Sequence, residues 1–473
     1  MRSSWATVLT ATDHRPNICT LRPTTDQPAP RASLGRNYWK LWTASVISNF
    51  GDGISTVAYP WLASAVTRDP IAIAGIAVAT RLPWLVFSLP AGVITDRADR
   101  RRLVAWMDVV RFSITIAVAI VVMTGSADLA APSEITGVAG TPPNATFYLT
   151  VLYVAALAFG FAEVLRDNAA QTLMPSVVEA NLLERANGRL WGAEMVMNSF
   201  VGPPLGGVLI AVAFSLPFFV DAGTFAVSAA LVFAISGRFT AQRPPSTDRR
   251  RFRAELTEGI RWLWSHRLLR SMGLILGIMN AMSAMAFATY VLFVQEILGL
   301  EAAQFGALLT AGALGGVLGS FASAKISARI GPGASLFTTL AVGGATDLVT
   351  GLTSSAMVVW AMFALSSFVA VLWNVITVAF RQSIIPDRLL GRVNSVYRFF
   401  AWGMMPLGSL LGGVVVSVTE SLANRELALR LPFLLSAGVL FLLFVYALPI
   451  LNTRRLQDAR AAASGEADAR TQA

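Results

Sequence analysis

Gly92-Val-Ile-Thr-Asp96-Arg97-Ala-Asp99-Arg100-Arg101-Arg102-Leu103 stands between two apolar runs, residues 71–95 and 103–125. Each run is long enough to cross a hydrocarbon core about 30 Å thick as a helix. The charged stretch between them cannot enter that core, so the three pieces read as a helical hairpin with a basic turn. Working outward, the same alternation fills most of the chain. Apolar runs fall near 41–65, 147–167, 189–213 and 215–236, then near 270–295, 304–326, 333–352, 355–380, 395–418 and 431–451.

Of 473 residues, 55% are hydrophobic and only 14% charged, against about 25% charged in an ordinary soluble chain. The spans are read as helices, because a helix satisfies its own backbone groups where no water is present. A transmembrane barrel would alternate in segments of about ten residues, a pattern not seen here. The reading is an all-α membrane protein of twelve transmembrane helices.

The net charge of +10 would suggest nucleic acid in a soluble protein. Here the arginines gather between alternate apolar runs, which is a topology signal instead. One set of connections holds Arg97, Arg100 to Arg102, Arg185, Arg189, Arg243 to Arg253, Lys325, Arg329, Arg388, Arg392, Arg454 and Arg455. The opposite set holds Arg68, Arg425, Arg430 and little else. Both termini are therefore expected on the cytoplasmic side of a cell membrane. Cys19 is the only cysteine, and His14 and His266 are the only histidines. That excludes a disulfide framework and speaks against thiolate or imidazole metal chemistry. No metal or other cofactor is expected, and no cleavable signal segment is visible.

Residues 1–37 read as a polar, disordered extension, 38–236 and 268–452 as two six-helix bundles, and 453–473 as a tail. Between the bundles, 237–267 starts as a solvated linker. It continues with Leu256, Ile260, Leu263 and Trp264 at helical spacing opposite Arg253, Glu258 and Arg261. That pattern suits an amphipathic helix lying at the interface. The halves look like copies. Leu182-Leu-Glu-Arg-Ala-Asn187 matches Leu389-Leu-Gly-Arg-Val-Asn394, and Gly202-Pro-Pro-Leu-Gly-Gly207 matches Gly408-Ser-Leu-Leu-Gly-Gly413, at offsets of 207 and 206 residues.

Span 1 carries a single acid, Asp52, near its middle, where a carboxylate costs about 2.5–3.5 kcal/mol on insertion scales. Ser45, Asn49, Asp52 and Thr56 form one polar stripe beside Gly51 and Gly53. Either the carboxylate binds a proton or cargo, or it is a structural hydrogen-bonding group. Arg81 in span 2 lies within about 5 Å of the same depth at 1.5 Å per residue. The two are expected to pair or share water, as a packing device or as a proton-sensitive latch. Glu163, Arg166 and Asp167 end span 4, and Glu194 and Asn198 share a face of span 5. They form either interhelical ion pairs, for instance with Arg111 or Arg189, or an inner vestibule. Asp108 and Arg111 read as a local pair. Asn280 and Asn374 are isolated amides, interhelical contacts or ligand contacts alike. Gly202, Pro203, Gly206 and Gly207 should kink span 5 and allow close packing.

The stretch from Gly92 to Arg102 resembles the loop signature of the major facilitator superfamily, Gly-x-x-x-Asp-Arg-x-Gly-Arg-Arg/Lys, with Asp99 in place of the second glycine. Gly202-Pro203-x-x-Gly206-Gly207 is similar to the end of that superfamily's antiporter signature, with Asn198 where an upstream glycine is usual. Asn49-Phe-Gly-Asp52-Gly53, Asp167-Asn-Ala-Ala-Gln-Thr-Leu-Met-Pro175 and Leu182 to Asn187 look like the branch of macrolide efflux proteins, the enterobactin exporter and mycobacterial multidrug pumps. The resemblance covers residues 37–452. It implies two pseudo-symmetric bundles rocking about a central cavity, and export of small amphipathic molecules in exchange for protons. Asp52 would be the protonation site. In the outward-facing state Asp96 would cap the inner end of span 11 near Asn394, with Arg97, Arg100 and Arg101 clamping the same gate. Uptake or lipid flipping is the alternative on this fold. An intramembrane enzyme would need a buried nucleophile with its base or a metal site, and neither is evident. The expected partners are a small-molecule substrate and membrane lipid, not nucleic acid, and the chain is expected to act as a monomer.

Overall fold

The computed structural model describes residues 33–130, 142–237, 239 and 249–471. The extension before Ser33, the centre of the 126–146 loop and residues 240–248 of the linker lie outside the described residues. Helices carry nearly all of what is described. They are α1 (Gly35–Val66), α2 (Pro70–Arg97), α3 (Arg100–Thr124), α4 (Ala145–Val177), α5 (Leu183–Met195), α6 (Gly202–Val212) and α7 (Leu216–Phe233). There follow α8 (Arg249–Ser265), α9 (Arg267–Ala288), α10 (Tyr290–Glu296), α11 (Ala302–Ile330) and α12 (Pro332–Leu352). The last are α13 (Ala356–Ile384), α14 (Asp387–Leu422), α15 (Arg425–Ala447) and α16 (Thr453–Thr471).

Among the described residues, eleven helical stretches are long and apolar enough to cross a bilayer. α5 and α6 count as one of them, joined by a π-helical turn at Val196–Val201. α1 is the twelfth crossing. It has 32 residues, but its polar stripe lowers its average apolarity. Ser45, Ser48 and Ser55 are buried against protein, so lipid never meets them. The helices overrun the expected spans at their polar ends. α4, for instance, continues ten residues past 167, because hydropathy senses only the oily slab while the helix continues into water.

Local signals set the helix starts. Asp69 accepts from the Ile71 N–H at 2.8 Å, with Pro70 in the first turn of α2. Asp99, the residue that departs from the loop signature, caps α3 by accepting from the Arg102 N–H at 3.1 Å. Side-chain acceptors at these positions satisfy N–H groups the helix cannot. Glu301 and Gln304 form a reciprocal capping box at the start of α11.

The pairing of helices repeats between the halves. α2 packs on α4 as α11 packs on α13; α3 on α7 as α12 on α15; and α1 on α6 as α9 on α14. Across the halves, α2 meets α14 and α6 meets α11. The Gly-Pro-Pro-Leu-Gly-Gly segment explains the second contact. Pro203 and Pro204 stand in the first turn of α6, directly after the π turn that interrupts the regular helix. A Cβ on Gly202 would lie 2.6 Å from the Gly53 Cα, and one on Gly206 would lie 2.6 Å from the Ile54 carbonyl oxygen. Gly207 is pressed in the same way on the backbone of Ala302 and Ala303.

One end of the inter-half seam is stitched by polar contacts. Arg68, between α1 and α2, donates to Gln295 and lies 3.6 Å from Glu296. Gln295, 1% exposed, donates to Ser64 at 2.8 Å. Arg425 grips Glu296 through two bonds of 2.9 and 3.0 Å and donates to the Arg68 carbonyl at 3.1 Å.

Candidate functional site

α1, α3, α4 and α7 bring a cluster of charged side chains together in the middle of the first half. Arg111 of α3 is 1% exposed. It pairs with Asp52, donates to Ser48 at 3.0 Å and lies 3.4 Å from Asp108. Its guanidinium lies against both Phe225 and Phe159, 4.0 and 4.7 Å from their ring centres, an arrangement that favours a desolvated cation. Asp108, fully buried, also accepts from Ser228 at 2.6 Å and lies 3.3 Å from Arg166. Arg166 in turn lies 3.4 Å from Asp167. Asp221 of α7, fully buried, accepts from Ser55 and Thr224. Among these groups five carboxylates, those of Asp52, Asp108, Glu163, Asp167 and Asp221, share two enclosed guanidinium groups.

This cluster forms one wall of a cavity of about 510 Å³. Asp52, Glu163 and Arg81 supply its charge. Tyr59, Phe159, Phe287, Tyr290 and Phe305 supply aromatic faces, and Met405 and Ser409 of α14 close the far side. A smaller pocket, about 180 Å³, lies against α1, α4 and α5, with Asn49, Asp167, Trp191 and Glu194 on its walls. Asp52, Glu163 and Asn198 line both spaces. They form a polar neck between them. Asn198 reaches it from the π turn.

Several expectations change. Arg81 does not pair with Asp52. It stands across the same cavity, 6.0 Å from the Trp402 ring centre, and the partner of Asp52 is Arg111. Position along a helix says nothing about rotation about its axis, and Asp52 turns toward α3. Asp108 and Arg111 are a local pair, but also the hub of a wider network. Asn280 donates to the Ala401 carbonyl at 2.7 Å and joins α9 to α14. Asn374 is exposed and bonds its own helix at Ala370. Neither lines the two cavities described.

Of the loop signature, Arg100 donates to the Thr172 carbonyl at 3.1 Å and Arg101 to the Ile235 carbonyl at 2.6 Å. They tie the start of α3 to the ends of α4 and α7 within one half. Arg97 is exposed, and the space beside Gly92 is open. The Asp96 side chain, expected to cap span 11, lies outside the described residues. Among the described residues no cluster of His, Cys, Asp or Glu is arranged to hold a metal ion.

Two acids escaped the sequence reading. Asp221 lies in Leu216-Pro-Phe-Phe-Val-Asp221, and Asp347 of α12 accepts from Ser436 of α15. Each is a lone carboxylate in an apolar run, the same signal that singled out Asp52.

Comparison with known proteins extends this picture. The chain is 26% identical over 405 residues to the multidrug efflux pump Tap of Mycolicibacterium fortuitum, covering 83% of this chain and 92% of that one. It is 27% identical over 310 residues to the enterobactin exporter EntS of Escherichia coli, covering 63% and 70%. Its fold is similar to the inward-facing crystal structure of a bacterial homologue of the iron transporter ferroportin. There the TM-score is 0.66 at 16% identity, covering 88% of this chain and 99% of that one. The outward-facing form of such a homologue gives a TM-score of 0.52 at 17% identity, covering 87% and 99%. The family described as transmembrane secretion effector matches residues 32–464. With twelve helices in two repeated groups around a polar cavity, this chain is a multi-pass plasma-membrane protein of the transmembrane secretion effector family, within the major facilitator superfamily.

Proposed function

We propose that this transporter exports small amphipathic molecules of the drug or siderophore kind, by alternating access and in exchange for protons. The observation that carries the reading is Asp52 itself. It sits at the neck between two cavities, in contact with cargo space on one side and with Arg111 on the other. The main cavity is lined by both charged groups and aromatic rings, which suits amphipathic cargo. Tap and EntS, the relatives named above, support export.

Under the arginine rule, the stitched end of the seam, with Arg68, Glu296 and Arg425, is the outer end. The cavity then opens toward the cytoplasm through the smaller pocket. A proton arriving at Asp52 cancels its charge and loosens α1 from α3. Arg111 is not stranded by this, because Asp108, Ser48 and the two phenyl rings still hold it. That second set of partners makes the Asp52 bond a reversible element.

Everted membrane vesicles test the reading. With an acidified lumen, vesicles carrying the chain should accumulate ethidium, and a protonophore should abolish this. Asp52→Asn should insert normally and accumulate none. Accumulation by the variant equal to the wild type would overturn Asp52 as the coupling site. Accumulation only in right-side-out vesicles would mean uptake instead.

A further inference from the structure

Asp221 is the most enclosed acid of the cluster that faces no guanidinium partner. It is 0% exposed and accepts only from the hydroxyls of Ser55 and Thr224 among the described residues. Two hydroxyl donors are poor compensation for an ionised carboxylate within a bilayer. A neutral acid at the same place is far less costly. The groups that face it from the packed helices are few. α1 presents Asp52 and Tyr59, α3 presents Arg111, and α6 carries no titratable residue. Arg111 is already engaged by Asp52 and Asp108. Asp52 and Asp221 are thus like charges near one another, with Arg111 bonded to Asp52 and not to Asp221, an arrangement that favours the neutral form of Asp221.

The geometry also supplies a route. Asp221 does not line the cavity, but Ser55 does, and Ser55 donates to Asp221. α1 approaches α7 closely here because residue 51 is glycine. Any Cβ at Gly51 would overlap the side chains of Asp221 and Thr224.

Resting on the proton-exchange reading above, we infer that Asp221 is a second proton-carrying carboxyl of the transport cycle, loaded from the cavity through the Ser55 hydroxyl. A hydronium in the cavity gives its proton to the Ser55 oxygen as Ser55 passes its own proton to the Asp221 carboxylate. Water and a neutral acid result, and the serine is regenerated. Release runs the same chain backward.

Infrared difference spectra of the full chain in lipid nanodiscs, recorded between alkaline and acidic buffer, test this without any cargo. The wild type should show carboxylic-acid C=O bands that grow on acidification. Asp221→Asn, which mimics the shape of the neutral acid, should lose one of them, and Asp52→Asn should lose another. Ser55→Ala should shift the Asp221 band and slow its appearance, and it carries the test if Asp221→Asn does not fold. An Asp221 band present unchanged at every pH would make it a permanently neutral structural acid and overturn the inference. So would an Asp221→Asn spectrum identical to the wild type, or a Ser55→Ala band unmoved, while the Asp52 band still titrates. No titrating carboxyl in the wild type would overturn proton exchange as well.

Discussion

Asp108 and Arg111, three residues apart on α3, form an ion pair at 3.4 Å in which neither side chain reaches water, at 0% and 1% exposure. A pair so enclosed cannot lose one member cheaply. The surviving charge has no solvent to turn to and must rely on fewer partners.

Arg111→Met should therefore destabilise the protein by about 3–5 kcal/mol, the range for breaking a buried pair by removing one partner. It leaves Asp52 without an ion-pair partner and Asp108 with Arg166 and Ser228 alone. Asp108→Asn combined with Arg111→Met should recover part of that loss, since fewer unpaired charges remain. Thermal or denaturant unfolding in lipid nanodiscs checks both. A single variant as stable as wild type would show that the network is not structural.

Arg81 makes a contrasting case. It lines the cavity near Glu163 but forms no ion pair with the buried acids among the described residues. Arg81→Ala should leave stability within about 0.5 kcal/mol of wild type. What should change is the cavity's preference, with cationic dyes exported better and anionic ones worse. A variant that lost stability instead would restore the pairing with Asp52 that the structure denies.

The polar stitch around Glu296 holds the halves together at one end. Glu296→Gln weakens its bonds to Arg425 and its attraction to Arg68. Hydrogen bonds to charged groups contribute about 1.5–3 kcal/mol, so the balance between closed and open seams should move by roughly ten- to a hundredfold. Distances between spin labels on α2 and α15, measured in nanodiscs, would show the shift. An unchanged distribution would mean the seam is held by packing alone.

That packing has its own test at Gly207, where α6 presses on the start of α11. Gly207→Val should pry the halves apart at that end. In a background lacking Cys19, a cysteine placed at Ser283 in the cavity should then be labelled several-fold faster from that side. Equal labelling rates would show that the backbone gives way without opening the seam.

The sequence alone determined the membrane character, the helix count and the duplication. Each rests on local or repeated features, namely apolar runs of spanning length, arginines at alternate turns, and Leu182 to Asn187 recurring at Leu389 to Asn394. It also singled out Asp52, because a carboxylate in an apolar run stands out whatever surrounds it. The same rule applied to Asp221 and Asp347 would have found both. Which charge meets which was decided only by tertiary structure. Asp52 and Arg81 line one cavity, and counting residues along each helix could bring them no closer than that. The rotation of α1 toward α3, and the glycines that let α1 approach α6 and α7, follow from how side chains interlock across helices distant in sequence. Periodicity within one helix carries no record of that.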